Sequence, residues 1–64
     1  MQLTIERPRQ EKRIRFSGSA RDLLASLDIN PETVLVVKND TLIALDDEVA
    51  DTDAVRVLSV ISGG

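Results

Sequence analysis

The sequence predicts a single α+β domain in which four to five strands pack on one short helix. The chain has 64 residues, enough for one small domain. It is 42% hydrophobic and 30% charged, a balance typical of a globular chain rather than a disordered one. Segments with the alternation of strands flank one stretch with helical periodicity. A single domain with one helix is therefore expected.

The first two strands are predicted to form a hairpin. In Gln2–Glu6, two aliphatic side chains alternate with polar ones, as in a strand with one wet face. Residues 8–11 interrupt this pattern. Residues 13–16 alternate again, which predicts a second strand with Ile14 and Phe16 as its inward side chains.

The helix is predicted to start after residues 17–19 break the alternation. Ser19 is placed to cap it, and Asp22 lies in the first turn, where a carboxylate favours the N-terminal amides. Pro31 ends it, because the residue before a proline is pushed out of the helical region. Apolar residues at i, i+3, i+4 and i+7 form one stripe along this helix: Ala20, Leu23, Leu24 and Leu27.

The second half of the chain supplies the remaining strands and loops. Val34–Lys38 is a β-branched run that reads as a strand, and Asn39-Asp40 is a plausible tight turn. The other predicted segments are a strand at 41–45, an acidic loop at 46–54, a strong strand at 55–61 and a small-residue tail at 62–64.

Two of these strands, 34–38 and 55–61, carry aliphatic residues at both even and odd positions. One helix covers only one face of a sheet, so several aliphatic side chains are left for the other face. An exposed aliphatic patch on a small protein usually marks a binding surface. The alternative is that the acidic loop folds back, with Val49, and covers this face.

Several absences narrow the class of function. The chain has no Cys and no His, so it lacks the common nucleophile, general base and metal ligands of enzymes. It has no Trp or Tyr and one Phe, which does not make a base-stacking platform. We therefore predict a protein that is not an enzyme and does not bind nucleic acid directly. No signal peptide or membrane-spanning run is visible, so a cytoplasmic location without membrane contact is expected.

The charge is distributed unevenly. Residues 1–21 carry six Lys or Arg against two Glu, whereas residues 22–64 carry two against nine Asp or Glu. Such polarity can orient a partner, or it can simply be a solvated basic hairpin beside an acidic half. The acidic loop could bind a divalent cation, but its spacing matches no EF-hand. A solvated loop with no metal is the preferred interpretation.

The C-terminus carries the most specific signal. Two terminal glycines arise by chance in roughly 0.5% of chains, and here they follow an apolar strand directly. The segment 29–64, with its NPETV turn and LSVISGG ending, resembles the C-terminal part of the ubiquitin-like sulfur carriers. These include the thiamine and molybdopterin carriers (the ThiS/MoaD-like group) and the archaeal small modifier proteins. The resemblance is greatest to the carrier for tRNA 2-thiouridine synthesis in thermophilic bacteria.

This resemblance implies a ubiquitin-like β-grasp fold, a mixed sheet around one helix, over residues 1–61. It also implies that an activating enzyme of the ThiF/MoeB type uses ATP to adenylate the carboxylate of Gly64. A sulfurtransferase or cysteine desulfurase would then supply the sulfur of a thiocarboxylate. The acceptor would be a tRNA thiolation enzyme or, alternatively, a thiazole synthase. No cofactor bound to the carrier is expected.

The same resemblance implies the site residues. Gly64 would be the group that is activated, and Ser62 and Gly63 the flexible arm that carries it in the tail 62–64. Other functions stay open. The sulfur could serve molybdopterin synthesis, or Gly64 could form isopeptide bonds to lysines of target proteins. The chain could also be a non-covalent β-grasp binding module with an incidental tail. If the family geometry holds, the inward side chains are Val34, Val36, Val55 and Val57. The docking patch for the activating enzyme is then Leu35, Val37, Leu58 and Val60.

Overall fold

A mixed five-stranded sheet with one helix on one face is the frame of the molecule, as the sequence predicts. The computed structural model describes residues 1–6 and 9–60. The elements are β1 (Gln2–Glu6), β2 (Arg9–Arg13), β3 (Gly18–Ser19), α1 (Ala20–Ser26), a 3-10 helix (Pro31–Thr33), β4 (Val34–Lys38), β5 (Thr41–Ile43), β6 (Glu48–Val49) and β7 (Ala54–Ser59).

The main sheet brings the first and last strands together at its centre. Its order is β2-β1-β7-β4-β5. β1 and β7 run parallel, with Leu3 opposite Val55 and Ile5 opposite Val57. The other neighbours are antiparallel. β7, which leads to the C-terminus, is therefore the central strand of the sheet.

The core lies between this sheet and α1. Leu3, Val36, Val55 and Val57 from the strands are almost fully buried against the helix. Burying each such side chain stabilises the fold by about 1.5–3 kcal/mol. The predicted helical stripe is confirmed: Ala20, Leu23 and Leu24 are fully buried, and Leu27 packs against them partly buried.

The ends of α1 follow from local hydrogen bonds. The Ser19 hydroxyl accepts a hydrogen bond from the Asp22 N–H at 3.1 Å, so the predicted N-cap is confirmed. The helix ends at Ser26, earlier than the apolar stripe suggests. Asn30 then caps the 3-10 helix through the Glu32 N–H at 3.0 Å. This second cap stabilises the 3-10 helix that begins at Pro31.

The acidic loop packs on the helix side of the sheet. β6 pairs with β3, which runs directly into α1. Val49 is 2% exposed and belongs to the core. The alternative in which Val49 and its loop cover the other face of the sheet is therefore wrong. We call that other face, formed by the outward side chains of the five-stranded sheet, the open face.

The second strand differs from the prediction. The sequence places it at 13–16, whereas β2 spans Arg9–Arg13 and pairs with β1 from Glu6 to Gln2. All five residues of β2 are exposed, so this edge strand has no hydrophobic alternation to reveal it. The alternation at 13–16 has another cause: Ile14 and Phe16 pack partly buried against the core after the strand has ended.

The turn between β4 and β5 is confirmed as a tight hairpin. Asn39 and Asp40 have φ of +50° and +67°, and the flanking Lys38 and Thr41 pair. Two successive left-handed residues are the pattern of a type I′ turn, which matches the twist of the strands. Asn and Asp tolerate this conformation better than other residues with a side chain, so glycine is not required.

Some predicted segments fall at the limit of the described chain. β7 is observed to Ser59 and Val60 follows it, whereas Ile61 and the tail 62–64 lie outside the described residues. The proposed boundary between domain and tail therefore stays a prediction. Within the described ranges, no helix has both the length and the apolar character that a membrane crossing requires.

Replacing Leu24 by Ala tests the core. Leu24 is fully buried, so we expect the free energy of unfolding to fall by about 2–5 kcal/mol. Leu42→Ala is the matched control, because Leu42 is 60% exposed and surface changes are usually within about 0.5 kcal/mol. Urea unfolding followed by circular dichroism measures both. Equal losses in the two variants would contradict the assigned helix face.

Candidate functional site on the open face of the sheet

Aliphatic side chains cover the β4, β5 and β7 part of the open face. The register places Leu35 opposite Leu58 and Val37 opposite Leu42. Side chains on directly opposed positions of antiparallel strands touch. Val60 continues the alternation of β7 by one residue. We define the aliphatic patch as Leu35, Val37, Leu42, Leu58 and Val60.

The patch is accessible to a partner. Leu42, Val60 and Leu35 are 60%, 50% and 43% exposed, whereas Val37 and Leu58 are half-buried between them. Single exposed aliphatic residues are common on protein surfaces, but a contiguous group of this kind usually marks an interaction site. The structure thus places the four predicted patch residues on or beside one exposed surface, away from the buried Val36, Val55 and Val57.

Leu42 is a patch residue that the sequence analysis missed. Its position follows from the two-residue turn, because pairing of Lys38 with Thr41 sets Leu42 opposite Val37. A two-residue turn at Asn39-Asp40, which the sequence analysis predicted, is sufficient to deduce that Leu42 lies opposite Val37. The neighbouring strand thus extends the patch to the edge of the sheet.

Charged side chains occupy the other part of the open face. Arg56 lies on the central strand, opposite Val37 on one side and Thr4 on the other. Its guanidinium is 3.6 Å from the Glu6 carboxylate, and Glu6 is opposite Arg9 on β2. The open face therefore changes from aliphatic to charged within one strand, at Arg56.

The predicted reactive group, Gly64, lies outside the described residues, as do Ile61, Ser62 and Gly63. The last described contact is the Val60 N–H, which donates to the Thr33 carbonyl at 3.0 Å. Four residues beyond Val60 span at most about 14 Å. Any partner that binds the patch and acts on Gly64 must therefore reach both within a short distance.

Carboxylates of the acidic loop accept hydrogen bonds from backbone N–H groups of the loop and of neighbouring segments. Asp47 accepts a hydrogen bond from the Ala44 N–H at 2.9 Å, and Asp53 accepts one from the Ala50 N–H at 2.7 Å. Asp51 accepts from the Phe16 N–H at 3.2 Å and lies 3.4 Å from the N-terminal ammonium of Met1. Among residues 1–6 and 9–60, no group of three or more carboxylates is arranged to hold a metal ion. The observed role of this loop is structural.

Asp53 has the most distinct environment of these carboxylates. The hydrogen bond from the Ala50 N–H, assisted by one from the Asn39 side chain at 3.0 Å, lowers the pKa of the Asp53 carboxyl. Asn39 also accepts from the Ala54 N–H at 3.0 Å. The ionised carboxylate thus ties the acidic loop to the β4–β5 turn at the start of β7.

A recess lies near the end of β7, between inward-facing residues of the sheet and the segment that contains Ile29 and the 3-10 helix. Its volume is about 170 Å³, and its walls include Ile5, Ile29 and Val57. Pockets for drug-sized ligands usually measure roughly 300–1,000 Å³. The recess is smaller than that range and lies away from the aliphatic patch, so the open face remains the better candidate site.

Comparison with known proteins identifies close relatives. The family model of small archaeal modifier protein 2 matches residues 1–61. The sulfur carrier protein TtuB of Thermus thermophilus is 43% identical over 56 residues, which cover 88% of this chain and 86% of that protein. An uncharacterized protein of Archaeoglobus fulgidus is 54% identical over 43 residues, or 67% of this chain and 63% of that one.

Solved structures agree with the fold. The crystal structure of the thiamine biosynthesis protein ThiS from Geobacter metallireducens has a TM-score of 0.64 and 29% identity, with both chains covered in full. A solution structure of a thiamine biosynthesis protein from the same organism gives a TM-score of 0.62 and 29% identity, covering all of this chain and 88% of that one. The predicted β-grasp architecture is confirmed.

Acidification should test the role of Asp53. Because its folded-state pKa is lowered, its stabilising effect is fully present above the unfolded-state pKa and is lost as the pH falls through the folded-state value. We therefore expect Asp53→Asn to destabilise the protein at neutral pH and to have less effect in acid. Urea unfolding of both proteins across this pH range measures the difference. A difference that stays constant with pH would contradict the assignment.

Proposed function

Because the chain belongs to the small archaeal modifier protein 2 family, we propose that the carboxylate of its Gly64 is its working group. The chain is a ubiquitin-like sulfur carrier and not a stand-alone enzyme. The observation that carries this conclusion is the 43% identity to a sulfur carrier protein over 88% of the chain. The prediction made from the SGG ending and the absence of His and Cys is thereby confirmed at the level of the family and its function.

The proposed chemistry begins with activation of Gly64. A C-terminal carboxylate is ionised at neutral pH and is a poor electrophile. Its oxygen would attack the α-phosphorus of ATP in the activating enzyme, with pyrophosphate as the leaving group. A persulfide of the sulfur donor would then attack the acyl carbon and release AMP. Reduction of the resulting acyl disulfide by a thiol leaves the thiocarboxylate on Gly64.

The composition of the tail suits these steps. Gly63 and Gly64 have no Cβ, so the backbone can approach a partner closely and adopt dihedrals closed to other residues. A side chain on Gly64 would crowd attack on its carbonyl carbon. Ser62 is small and polar, which suits a solvated arm. The Gly64 carboxylate is the only reacting group that the carrier would supply, so any base and the sulfur nucleophile come from its partners.

We propose that the activating enzyme docks on the aliphatic patch. Leu58 and Val60 precede the tail in the chain. On the neighbouring strand β4, Leu35 lies opposite Leu58, and Val37 lies two residues further along. Docking there fixes the point from which the tail departs. Since the remaining arm spans about 14 Å at most, a fixed departure point limits where Gly64 can go. Positioning of this kind is what activation of a chain end requires.

The destination of the sulfur is proposed to be tRNA 2-thiolation. Identity to the sulfur carrier protein TtuB is 43%, against 29% to the thiamine biosynthesis protein ThiS. The shared fold with the latter keeps thiazole synthesis as the second candidate. The family description as a modifier protein supports a further role, in which a lysine amine of a target protein attacks the activated Gly64 and forms an isopeptide bond.

The proposal includes the surroundings of the carrier. ATP is bound by the activating enzyme, and the carrier itself holds no cofactor. The sulfur comes from a sulfurtransferase or a cysteine desulfurase, and the acceptor enzyme is a tRNA thiolation enzyme or a thiazole synthase. Because this chemistry consumes ATP and persulfide sulfur, we place it in the cytoplasm.

Intact-mass spectrometry tests the function directly. After incubation with ATP, a cognate activating enzyme and a sulfur donor, the wild-type chain should gain the mass that corresponds to exchange of one oxygen for sulfur. Fragmentation should map the change to Gly64. Gly64→Ala should slow or block it while the unfolding transition stays unchanged, because the substitution alters none of the described residues that form the core. An unmodified chain, with an activating enzyme that is competent on another carrier, refutes the proposal.

Leu58→Asp tests the docking surface. A carboxylate in the middle of the aliphatic patch costs desolvation energy on binding, so we expect affinity for the activating enzyme to drop at least tenfold, equivalent to about 1.4 kcal/mol. Ala25→Asp adds the same charge at an exposed position of α1 and should bind normally. Titration calorimetry measures both. Unchanged affinity of Leu58→Asp means that the activating enzyme uses another face.

A further inference from the structure

We propose that the open face binds its partner as one composite surface. In this arrangement an apolar side chain of the partner packs on the aliphatic patch, and an acidic side chain next to it pairs with Arg56. The inference deepens the proposed function and rests on it, since the partner is the activating enzyme. It adds Arg56 to the binding residues. It also requires that the partner present a carboxylate beside an apolar side chain.

Arg56 lies at the centre of the open face. It lies on β7, the central strand, and its register partners are Val37 on one side and Thr4 on the other. The centre of a sheet face is where a partner's surface makes its most buried contacts. Arg56 is nevertheless 49% exposed in its side chain. Arginine is enriched at the centres of protein interfaces, where its planar donors bind carboxylates in pairs.

The neutralisation of Arg56 within the chain is weak. Its guanidinium lies 3.6 Å from the Glu6 carboxylate, which is within ion-pair range but longer than a hydrogen bond. Exposed ion pairs contribute only about 0–1 kcal/mol. Glu6 is also the register partner of Arg9 on β2, so a second arginine lies beside the same carboxylate on this face. A carboxylate from a partner can therefore join Arg56 at little cost to the fold.

The charge of the open face contrasts with that of the rest of the chain. Among the described residues, the register assigns three arginines and two glutamates to this face: Arg9, Arg13, Arg56, Glu6 and Glu11. The chain as a whole has a net charge of −3. The basic residues on this face thus attract an acidic partner surface, which helps to orient the encounter.

The same observations favour a protein partner over RNA. The net charge of the chain is negative, whereas proteins that bind RNA through its phosphates usually carry a basic surface. None of the described side chains that the register assigns to the open face is aromatic, so bases have no ring to stack on. The charged part also adjoins the aliphatic patch at Val37, and an apolar surface matches a protein better than a phosphate backbone.

Charge reversal of Arg56 tests the inference. We expect Arg56→Glu to weaken binding to the activating enzyme about tenfold or more, mainly through slower association and a smaller dependence on salt. Arg56→Lys keeps the charge and should retain most of the affinity. Arg21→Glu is the matched control, because it makes the same charge change at an exposed position of α1, where Arg21 pairs with Asp46 at 3.2 Å. The affinity of Arg21→Glu for the activating enzyme should change less than twofold.

The outcomes separate this inference from the docking proposal. Binding rates are measured by surface plasmon resonance at low and high salt, with thermal unfolding to confirm that each variant folds. Arg56→Met replaces Arg56→Glu if the latter does not fold. If Leu58→Asp weakens binding and Arg56→Glu does not, the inference fails and the docking patch stands. Equal losses of affinity in Arg56→Glu and Arg21→Glu would show that only the net charge of the chain matters, and this would overturn the inference. Binding of tRNA through Arg56, with normal binding to the enzyme, would also overturn it.

Discussion

The fold depends on the parallel pairing of β1 with β7 under the helix. Leu3 and Val55 meet in this pair, and both are buried by the leucines of α1. A chain of 64 residues has room for only one such core, since small domains bury a modest share of their surface. The rest of the main sheet is built outward from this pair: β2 adds to β1, β4 adds to β7, and β5 adds to β4.

Because the helix lies on one side of the sheet, the side chains that stabilise the core and those proposed to bind a partner lie on opposite faces. The inward residues of β4 and β7 are enclosed by the helix, the acidic loop and the 3-10 helix, whereas their outward neighbours meet solvent. Because the outward side chains contribute little to the core, they can be selected for a partner's shape and charge. The adjacent residues Val57 and Leu58 thus lie on opposite faces, with Val57 in the core and Leu58 in the proposed docking patch.

The sequence predicted the parts of the fold that carry a periodic signal. The helical stripe, the Ser19 cap and the Asn39-Asp40 turn each follow from local rules and were correct. β2 was misplaced because an exposed edge strand has no apolar alternation, and the pairing of β3 with β6 involves strands too short to show any period. Of the candidate site, four of the five aliphatic residues were predicted from the sequence, whereas Leu42 was missed. Arg56 was not singled out, because its place at the centre of the open face depends on the sheet register.

The central position of β7 links the use of the carrier to its folding. β7 follows every other described strand along the chain, and it also brings Leu58 next to Leu35. An unfolded chain therefore has the residues of the aliphatic patch but no assembled surface for a partner to bind. On the proposed scheme, an activating enzyme that requires this surface consumes ATP only on carriers whose sheet is complete, so activation would depend on folding.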